Sequence, residues 1–340
     1  MIRVGVIGTG KFASHHAKVW QGISEVVLIG ACGGDPERTR AFAEAHGCKA
    51  FAHVEDLIDA CDVIDIVSAN DTHGEHALKA AAAGRHFIVE KPLDIDLEKA
   101  REVCAAAESA GVVATVVSNY RYNRAFRAMK VAIEGGDLGQ IVGGQVSVLW
   151  PRSVEYYAAH GGWRGDPSRA GGGVLIHQCI HHIDLLHWWF GAAEAVHGRA
   201  RDWTTDGADG VERTFLGHLE FAGGFPVQLF CTTRGGDPSL NRVSVYGTAA
   251  FAHADEQSFV TSGQSRLRRL AARAADYLIP RRQAENSSTL LRRQFIDFTQ
   301  AVSGDAAMGV TLTDGLRALE TVRRLYADAA VPPNRAGEKT

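Results

Sequence analysis

Short apolar, β-branched runs recur through the first third of the chain, at 2–7 (IRVGVI), 26–32 (VVLIGAC), 63–69 (VIDIVSA), 86–90 (HFIVE) and 112–118 (VVATVVS). Between them lie PERTRAFAEAHG, HGEHALKAAAAG and LEKAREVCAAAESAG, whose apolar residues fall at spacings of three and four, with Gly84 and Gly111 closing the last two. This rhythm predicts βαβ units and a doubly wound parallel sheet. Ligands of such sheets bind beyond the carboxyl ends of the strands, so the turns after Ile7, Cys32, Ala69 and Glu90 become the candidate site. From residue 140 the pattern changes. IVGGQVSVLW, AVHGRARDW, RTFLGHLEFAGG, PVQLFCTT and RVSVYGTAAFAH follow one another with turn-like breaks, interrupted by a helix-like stretch at 171–190. LLRRQFIDFTQAVSG and LTDGLRALETVRRLYADAA read as closing amphipathic helices. Strand runs without alternation predict a second fold class after the first.

A chain of 340 residues exceeds one ordinary core, which supports two domains, drawn at 1–121 and 122–340. Hydrophobic and charged fractions of 46% and 22% are those of a soluble globular protein. A net charge of −3 and a pI near 6.6 argue against a nucleic-acid partner. The opening MIRVGVIGTG has no signal-peptide pattern and no 18-residue apolar run exists, so a cytoplasmic location without membrane contact is expected. Six scattered cysteines without C-x-x-C read as buried thiols. The basic stretch 264–283 (QSRLRRLAARAADYLIPRRQ) suggests a solvated helix or an oligomer contact, and the tail VPPNRAGEKT should be disordered.

The first strand runs into Gly8-Thr9-Gly10-Lys11-Phe12-Ala13, a G-x-G-x-x-A before a helix. Gly8 allows the tight turn, Gly10 lets the backbone approach a pyrophosphate, and Ala13 lets helix and strand pack closely. The second strand ends Cys32-Gly33-Gly34-Asp35, without the acid that usually holds the ribose of NAD. Asp35 reads as a helix cap with Pro36 behind it. Arg38, one turn on, can reach a 2′-phosphate, so the cofactor is NAD or NADP, with NADP favoured.

HFIVEKP at 86–92, together with GTGKFA, SANDTH at 68–73 and GGGVLIHQCIHHID at 171–184, closely resembles the Gfo/Idh/MocA (glucose–fructose oxidoreductase/inositol dehydrogenase) family. The resemblance implies an N-terminal Rossmann domain and a C-terminal domain on an open, mostly antiparallel sheet. One face of that sheet covers the active site and the other often serves subunit contact, hence a homo-oligomer, dimer or tetramer. It further implies that Lys91 acts at the reacting hydroxyl, that Pro92 is commonly cis, and that His181 shuttles the proton. His177 stands where the family usually carries Asp, or Asn in some branches, and is expected to assist. To the expected cofactor contacts of the two turns, Gly8, Thr9, Gly10, Lys11, Phe12, Gly33 and Arg38, the resemblance adds Ser68, Asn70, His73, Glu90, Lys91, Trp163 and Arg164. Tyr156 and Tyr157 join Lys91, His177 and His181 around the substrate, and Asn119, Tyr120 and Arg121 are weaker candidates for the rim.

On a helix, His177, His181, Asp184 and Trp188 share one stripe, while His182 and His187 fall off it or at its edge and read as packing. H-x-x-x-H with Asp184 is a conceivable zinc geometry, but the H-E-x-x-H pattern is missing and no metal is expected. The resulting expectation is an NAD(P)-dependent oxidoreductase acting on a secondary alcohol or ketone of a sugar, polyol or related cyclic compound. An NAD-retaining glycosidase that works by transient oxidation, or a catalytically drifted nucleotide-binding protein, are the alternatives.

Overall fold

The computed structural model describes residues 1–201, 210–236, 239–263 and 285–330; the basic stretch 264–283 and the tail 331–340 lie outside the described residues. Strands β1 (Ile2–Ile7), β2 (Val26–Cys32), β3 (Lys49–Ala50), β4 (Val63–Ile66), β5 (His86–Val89) and β6 (Ala114–Val116) form one parallel sheet in the order β3-β2-β1-β4-β5-β6. The order reverses between β1 and β4, which opens a crevice at their carboxyl ends. All four residues of β4 are buried, as a strand covered by helices on both faces must be. The covering helices are α1 (Lys11–Gln21), α2 (Pro36–His46), α3 (Val54–Ala60), α4 (His73–Ala82) and α5 (Leu97–Ala110), whereas α6 (Arg124–Glu134) packs against the second sheet. Side chains cap three of them: Asp35 for α2, Asp96 for α5 and Asn123 for α6.

After the short helices α7 (Val154–Ala158) and α8 (Pro167–Ala170), a π-helical turn at Leu175–Cys179 leads into α9 (Ile180–Phe190). Helical periodicity predicted an uninterrupted α-helix here. The extra residue enters where the Gly173 and Leu175 amides donate to the buried Glu212 carboxylate, at 2.6 and 3.0 Å.

The second sheet has the order β13-β12-β11-β7-β10-β9-β8, built from β7 (Ile141–Leu149), β8 (Ala193–Arg201), β9 (Thr214–Phe221), β10 (Phe225–Thr232), β11 (Leu240–Gly247), β12 (Ala250–Asp255) and β13 (Phe259–Gly263). Its pairings are antiparallel apart from β7 with β10. The run RVSVYGTAAFAH, read above as one stretch, is a hairpin that folds back at Thr248 and Ala249. One face of the sheet is the core, with Val146, Phe215, Leu219, Leu229 and Val243 fully buried or nearly so. The other leaves Leu216, Tyr246, Phe251 and Val260 exposed.

Two closing helices, α10 (Ser287–Val302) and α11 (Leu312–Asp328), join the halves. Phe295 of α10 stacks on Trp20 of α1, ring centroids 4.0 Å apart, while α11 lies against β8 and α9 on one side and α5 and β6 on the other. The division at 121/122 therefore separates the strands of the two sheets, whereas the closing helices belong to both. No helix among the described residues is long and apolar enough to cross a membrane.

Beneath the crevice, α1 meets β4 and β5 through a buried charged group. Asp65 accepts from Trp20 Nε1 at 2.7 Å and pairs with His16 Nδ1 at 3.0 Å. His16 Nε2 lies 3.2 Å from Glu90 Oε1, an ionic contact rather than a well-aligned hydrogen bond. Burial alone lowers the imidazole pKa, but carboxylates on both sides raise it to about 10, so His16 is an imidazolium. An unfolded histidine releases its proton above about 6.5. The stabilisation is therefore complete below that pH and is lost as pH rises towards 10. His16→Leu, which leaves two buried carboxylates unpaired, should cost about 3–5 kcal/mol in urea unfolding at pH 6. The same variant should lose the decline in stability that the wild-type protein shows between pH 6.5 and 10.

Candidate active site

The turn after β1 is shaped by Gly8, whose φ of 119° and position 2.4 Å from the Val67 carbonyl (measured from where a Cβ would stand) admit only glycine. Gly10 begins α1 with open space around it, and no side chain caps that helix, in contrast to α2, α5 and α6. Backbone amides without a protein acceptor, in a cradle that a Cβ would narrow, fit a dinucleotide pyrophosphate. Lys11 and Phe12 are exposed beside it. At the end of β2 the missing acid has a steric counterpart. A Cβ on Gly33 would stand 2.8 Å from Thr9 Oγ1, so Thr9 fills the space. Asp35 accepts from the Glu37 and Arg38 amides and also pairs with Arg38 Nε at 3.0 Å. Arg38 is thus an exposed cation already carrying a carboxylate partner.

Several residues expected at the cofactor also bond protein groups that hold the site together. His73 is buried, with Nδ1 2.8 Å from the Pro92 carbonyl oxygen and Nε2 3.2 Å from that of Ser68, so its ring is held between two protein carbonyls. Asn70 donates its amide to the Ala170 carbonyl at 3.0 Å and so ties the β4 turn to the glycines before α9. Ser68 Oγ accepts from Thr72. Glu90 faces His16 with one oxygen, while the other accepts from the Lys91 amide at 3.0 Å. It is held below the usual carboxylate range: burial raises its pKa, and His16 and Lys91 more than reverse that.

Lys91 projects from the end of β5, and the Lys91–Pro92 peptide is cis. Its Nζ donates to the His177 carbonyl at 2.8 Å, joining the parallel sheet to the π turn. Burial lowers its pKa, against the opposing pull of Glu90. His177 is buried, with Nε2 unpartnered among the described residues and its ring 6.0 Å from that of Trp163. His181 is half-buried and stacked on Tyr120, ring centroids 4.9 Å apart. Burial, reinforced by the Lys91 charge, pushes both histidines well below their ordinary value, so both are neutral proton acceptors. Lys91 and His181 line one cavity with Pro92, Ser118 and Asp184.

The rest of the histidine-rich helix has other duties. Asp184 is clamped by Arg121 at 2.6 and 2.8 Å, and Arg121 reaches on to Asp314 at 3.2 Å. The carboxylate that completed a conceivable zinc geometry is therefore part of a buried ion pair. Trp188 receives the Lys130 ammonium on its ring. His182 packs between Tyr120 and Phe126, and His187 bonds Thr321 of α11. Metal-ligating side chains that gather in one place among the described residues are His197, His218 and Glu220, on the outer face of the second sheet.

In the loop after β7 the two tyrosines part company. Tyr157 is buried, bonds Thr233 Oγ1 at 2.9 Å and lies under Arg213, so it packs rather than lines the cleft. Tyr156 is half-buried between the guanidinium groups of Arg152 and Arg164, and Arg164 also covers Trp163. Sequence reasoning passed over His16, Asp65, Arg152 and Glu212. A signal existed for the first two: His16 falls on the Ala13–Ala17–Trp20 face of α1, and Asp65 interrupts the apolar centre of β4.

Residues 2–118 match the family model described as an oxidoreductase family with an NAD-binding Rossmann fold, and residues 126–253 match the GFO/IDH/MocA C-terminal domain. Glucose-6-phosphate 3-dehydrogenase of Bacillus subtilis (strain 168) is 32% identical over 191 residues, 56% of this chain and 54% of the relative. 1,5-Anhydro-D-fructose reductase of Ensifer adhaerens is 34% identical over 246 residues, 67% of this chain and 68% of the relative. The alignment thus spans about half the length of the first relative and two thirds of the second. Among solved structures, the WlbA dehydrogenase from Bordetella pertussis in complex with NADH and UDP-GlcNAcA superposes with a TM-score of 0.86 at 24% identity, over 97% of this chain and 95% of the other. Levoglucosan dehydrogenase in complex with NADH gives 0.84 at 22%, over 97% of each chain. At these identities the superpositions establish the fold.

The π turn that carries His177 depends on Gly173, where an added Cβ would stand 1.8 Å from the Glu212 carbonyl oxygen. Gly173→Ala should lower stability by about 2–4 kcal/mol in denaturant unfolding, through the backbone shift it forces. Glu212→Gln, which keeps the shape and loses the charge at the same turn, should cost less.

Proposed function

The chain belongs to the Gfo/Idh/MocA oxidoreductase family, and on that premise we propose that it exchanges a hydride between a nicotinamide dinucleotide and a secondary alcohol or ketone of a sugar, polyol or related cyclic compound. The observation that carries this reading is that Lys91, whose Nζ bonds the His177 carbonyl, and the neutral His181, one helical turn on from His177, meet beyond the carboxyl end of β5. The open, uncapped start of α1 lies on the same edge of the parallel sheet.

The Gly8–Phe12 turn would hold the pyrophosphate through backbone amides, with Trp163 and Arg164 closing over the other end. A bound nicotinamide supplies the hydride acceptor or donor. The protein's own part is proton and charge management. Lys91 Nζ, anchored on the His177 carbonyl, holds the substrate oxygen and opposes the negative charge that gathers there. A ring nitrogen of His181 takes the hydroxyl proton during oxidation and returns it during reduction. The unpartnered His177 Nε2 orients a neighbouring substrate hydroxyl, and the half-buried Tyr156 ring offers a face to the sugar. Nothing among the described contacts favours glycoside cleavage or a merely binding role.

Because Gly33 has no carboxylate and Arg38 stands at the mouth of the β2 turn, we assign NADP(H) as the preferred dinucleotide; Asp35 beside Arg38 limits that preference. We also propose that the exposed outer face of the second sheet, with Leu216, Tyr246, Phe251 and Val260, serves subunit contact in a cytoplasmic homo-oligomer.

Titration with NADH and NADPH, followed by nicotinamide fluorescence, tests the premise; failure of both to bind overturns it. Lys91→Ala should leave dinucleotide affinity within about twofold and lower kcat by roughly 100-fold or more in a sugar oxidation screen. Arg38→Ala should weaken NADPH about tenfold and leave NADH unchanged, consistent with one lost phosphate contact. The pH profile follows from His181. Its conjugate acid forms only well below 6.5, so oxidation should persist through pH 6 and fall only in more acid solution. An acid limb centred near 6.5 would assign the base elsewhere.

A further inference from the structure

Arg152 stands at the cleft without a duty in the chemistry described above. Its backbone is fixed where β7 runs out beside β10: its amide donates to the Thr233 carbonyl at 3.0 Å, and its own carbonyl accepts from Arg213 at 2.6 Å. The guanidinium lies 4.9 Å from the Trp150 ring centroid and 4.8 Å from that of Tyr156. Contact with two aromatic rings holds the cation in place, and its Nε is buried without a partner among the described residues. Only Nη1 has a protein acceptor among the described residues, the adjacent Pro151 carbonyl at 3.2 Å.

Charge balance around Arg152 is one-sided. No carboxylate among the described residues pairs with Arg152 or Arg164, although most other arginines near the cleft have one or a carbonyl pair. Glu155 is exposed, Glu90 faces His16, and Glu212 faces the π turn. At the position where a carboxylate is usual, His177 is neutral, and the charges of Lys91, Arg164 and Arg152 help to keep it so, after burial. Lys91 is answered in part by Glu90, whereas Arg152 and Arg164 border the half-buried cleft with no carboxylate partner among the described residues. Leaving cations unpaired in such a place is costly unless a ligand supplies the counter-charge.

We propose that the substrate carries an anionic group, a carboxylate or a phosphate, which Arg152 receives beside Tyr156. This rests on the dehydrogenase reading above and narrows it. Arg164, on the loop side of Tyr156, is left to the dinucleotide, whose phosphates are the competing source of negative charge. Guanidinium groups bind carboxylate and phosphate through paired, charge-assisted hydrogen bonds, so the preference over a neutral sugar should be large.

The test uses the full chain saturated with reduced dinucleotide, with D-glucuronate, D-glucose 6-phosphate and D-glucose as probes, read by calorimetry and by the change in nicotinamide fluorescence. At least one anionic sugar should bind tenfold or more tightly than D-glucose. Arg152→Gln should abolish that difference, Arg152→Lys should retain most of it, and both variants should keep the wild-type melting temperature within a few degrees and dinucleotide affinity within twofold. Equal binding of charged and neutral sugars, or no binding of either anionic sugar, overturns the proposal while dinucleotide binding still supports the dehydrogenase reading. A loss of dinucleotide affinity in Arg152→Gln that matches the loss of sugar preference also overturns it, since Arg152 would then serve the cofactor's phosphates.

Discussion

The hydrogen bond from Lys91 Nζ to the His177 carbonyl ties the end of β5 to the π turn that leads into the helix beneath the second sheet. Much of the surrounding structure acts by holding one end of it. On the lysine side, Glu90 is anchored by His16 and Asp65, and His73 holds the Pro92 carbonyl. On the histidine side, Glu212 gathers the amides that begin the π turn and accepts from Tyr326 of α11 at 2.7 Å. Asn70 crosses between the two sides to Ala170. A hydride-transfer site tolerates little error in such placement, because a misfit of about 1 Å can cost roughly 100-fold in rate.

The charged groups of the interior fall into two kinds. His16 sits between Asp65 and Glu90, and Arg121 between Asp184 and Asp314; each cation has carboxylates on two sides and no route to a ligand. These sets orient elements, and breaking one leaves a buried charge uncompensated. Lys91, Arg152 and Arg164 are the opposite case. They are half-buried and face the cleft, and among the described residues the two arginines have no carboxylate partner while Lys91 is balanced only in part by Glu90. The first kind makes the frame rigid, and the second gives the cleft its chemistry.

Architecture supports this division of labour. Strands buried on both faces give the crevice a firm floor, while loops beyond their ends carry the polar groups. The closing helices lie against both sheets, so the relative placement of Lys91 and His181 is backed by α11 packing on α5, β6, β8 and α9 together.

Periodicity and local chemistry in the sequence were enough for the alternation of the first sheet, the glycine turn, the Asp35 cap and the strand runs of the second sheet, while Lys91, His177 and His181 stood out through the family resemblance. These follow from interactions within a few residues: which face is apolar, which backbone angle needs glycine, which side chain reaches its own helix end. What the sequence left undecided was how each polar side chain would be used. Glu90, Asn70, His73 and Tyr157 all carried the pattern of ligand contacts, and each is bonded to protein groups that the sequence did not point to. Asp184 shared a helical stripe with the histidines, yet its partner is Arg121, 63 residues away. Lys91 and the carbonyl it donates to are 86 residues apart, and the π turn that presents that carbonyl depends on Glu212. A buried polar atom must find a partner wherever the packed chain brings one, and only the tertiary structure says which distant residue that is.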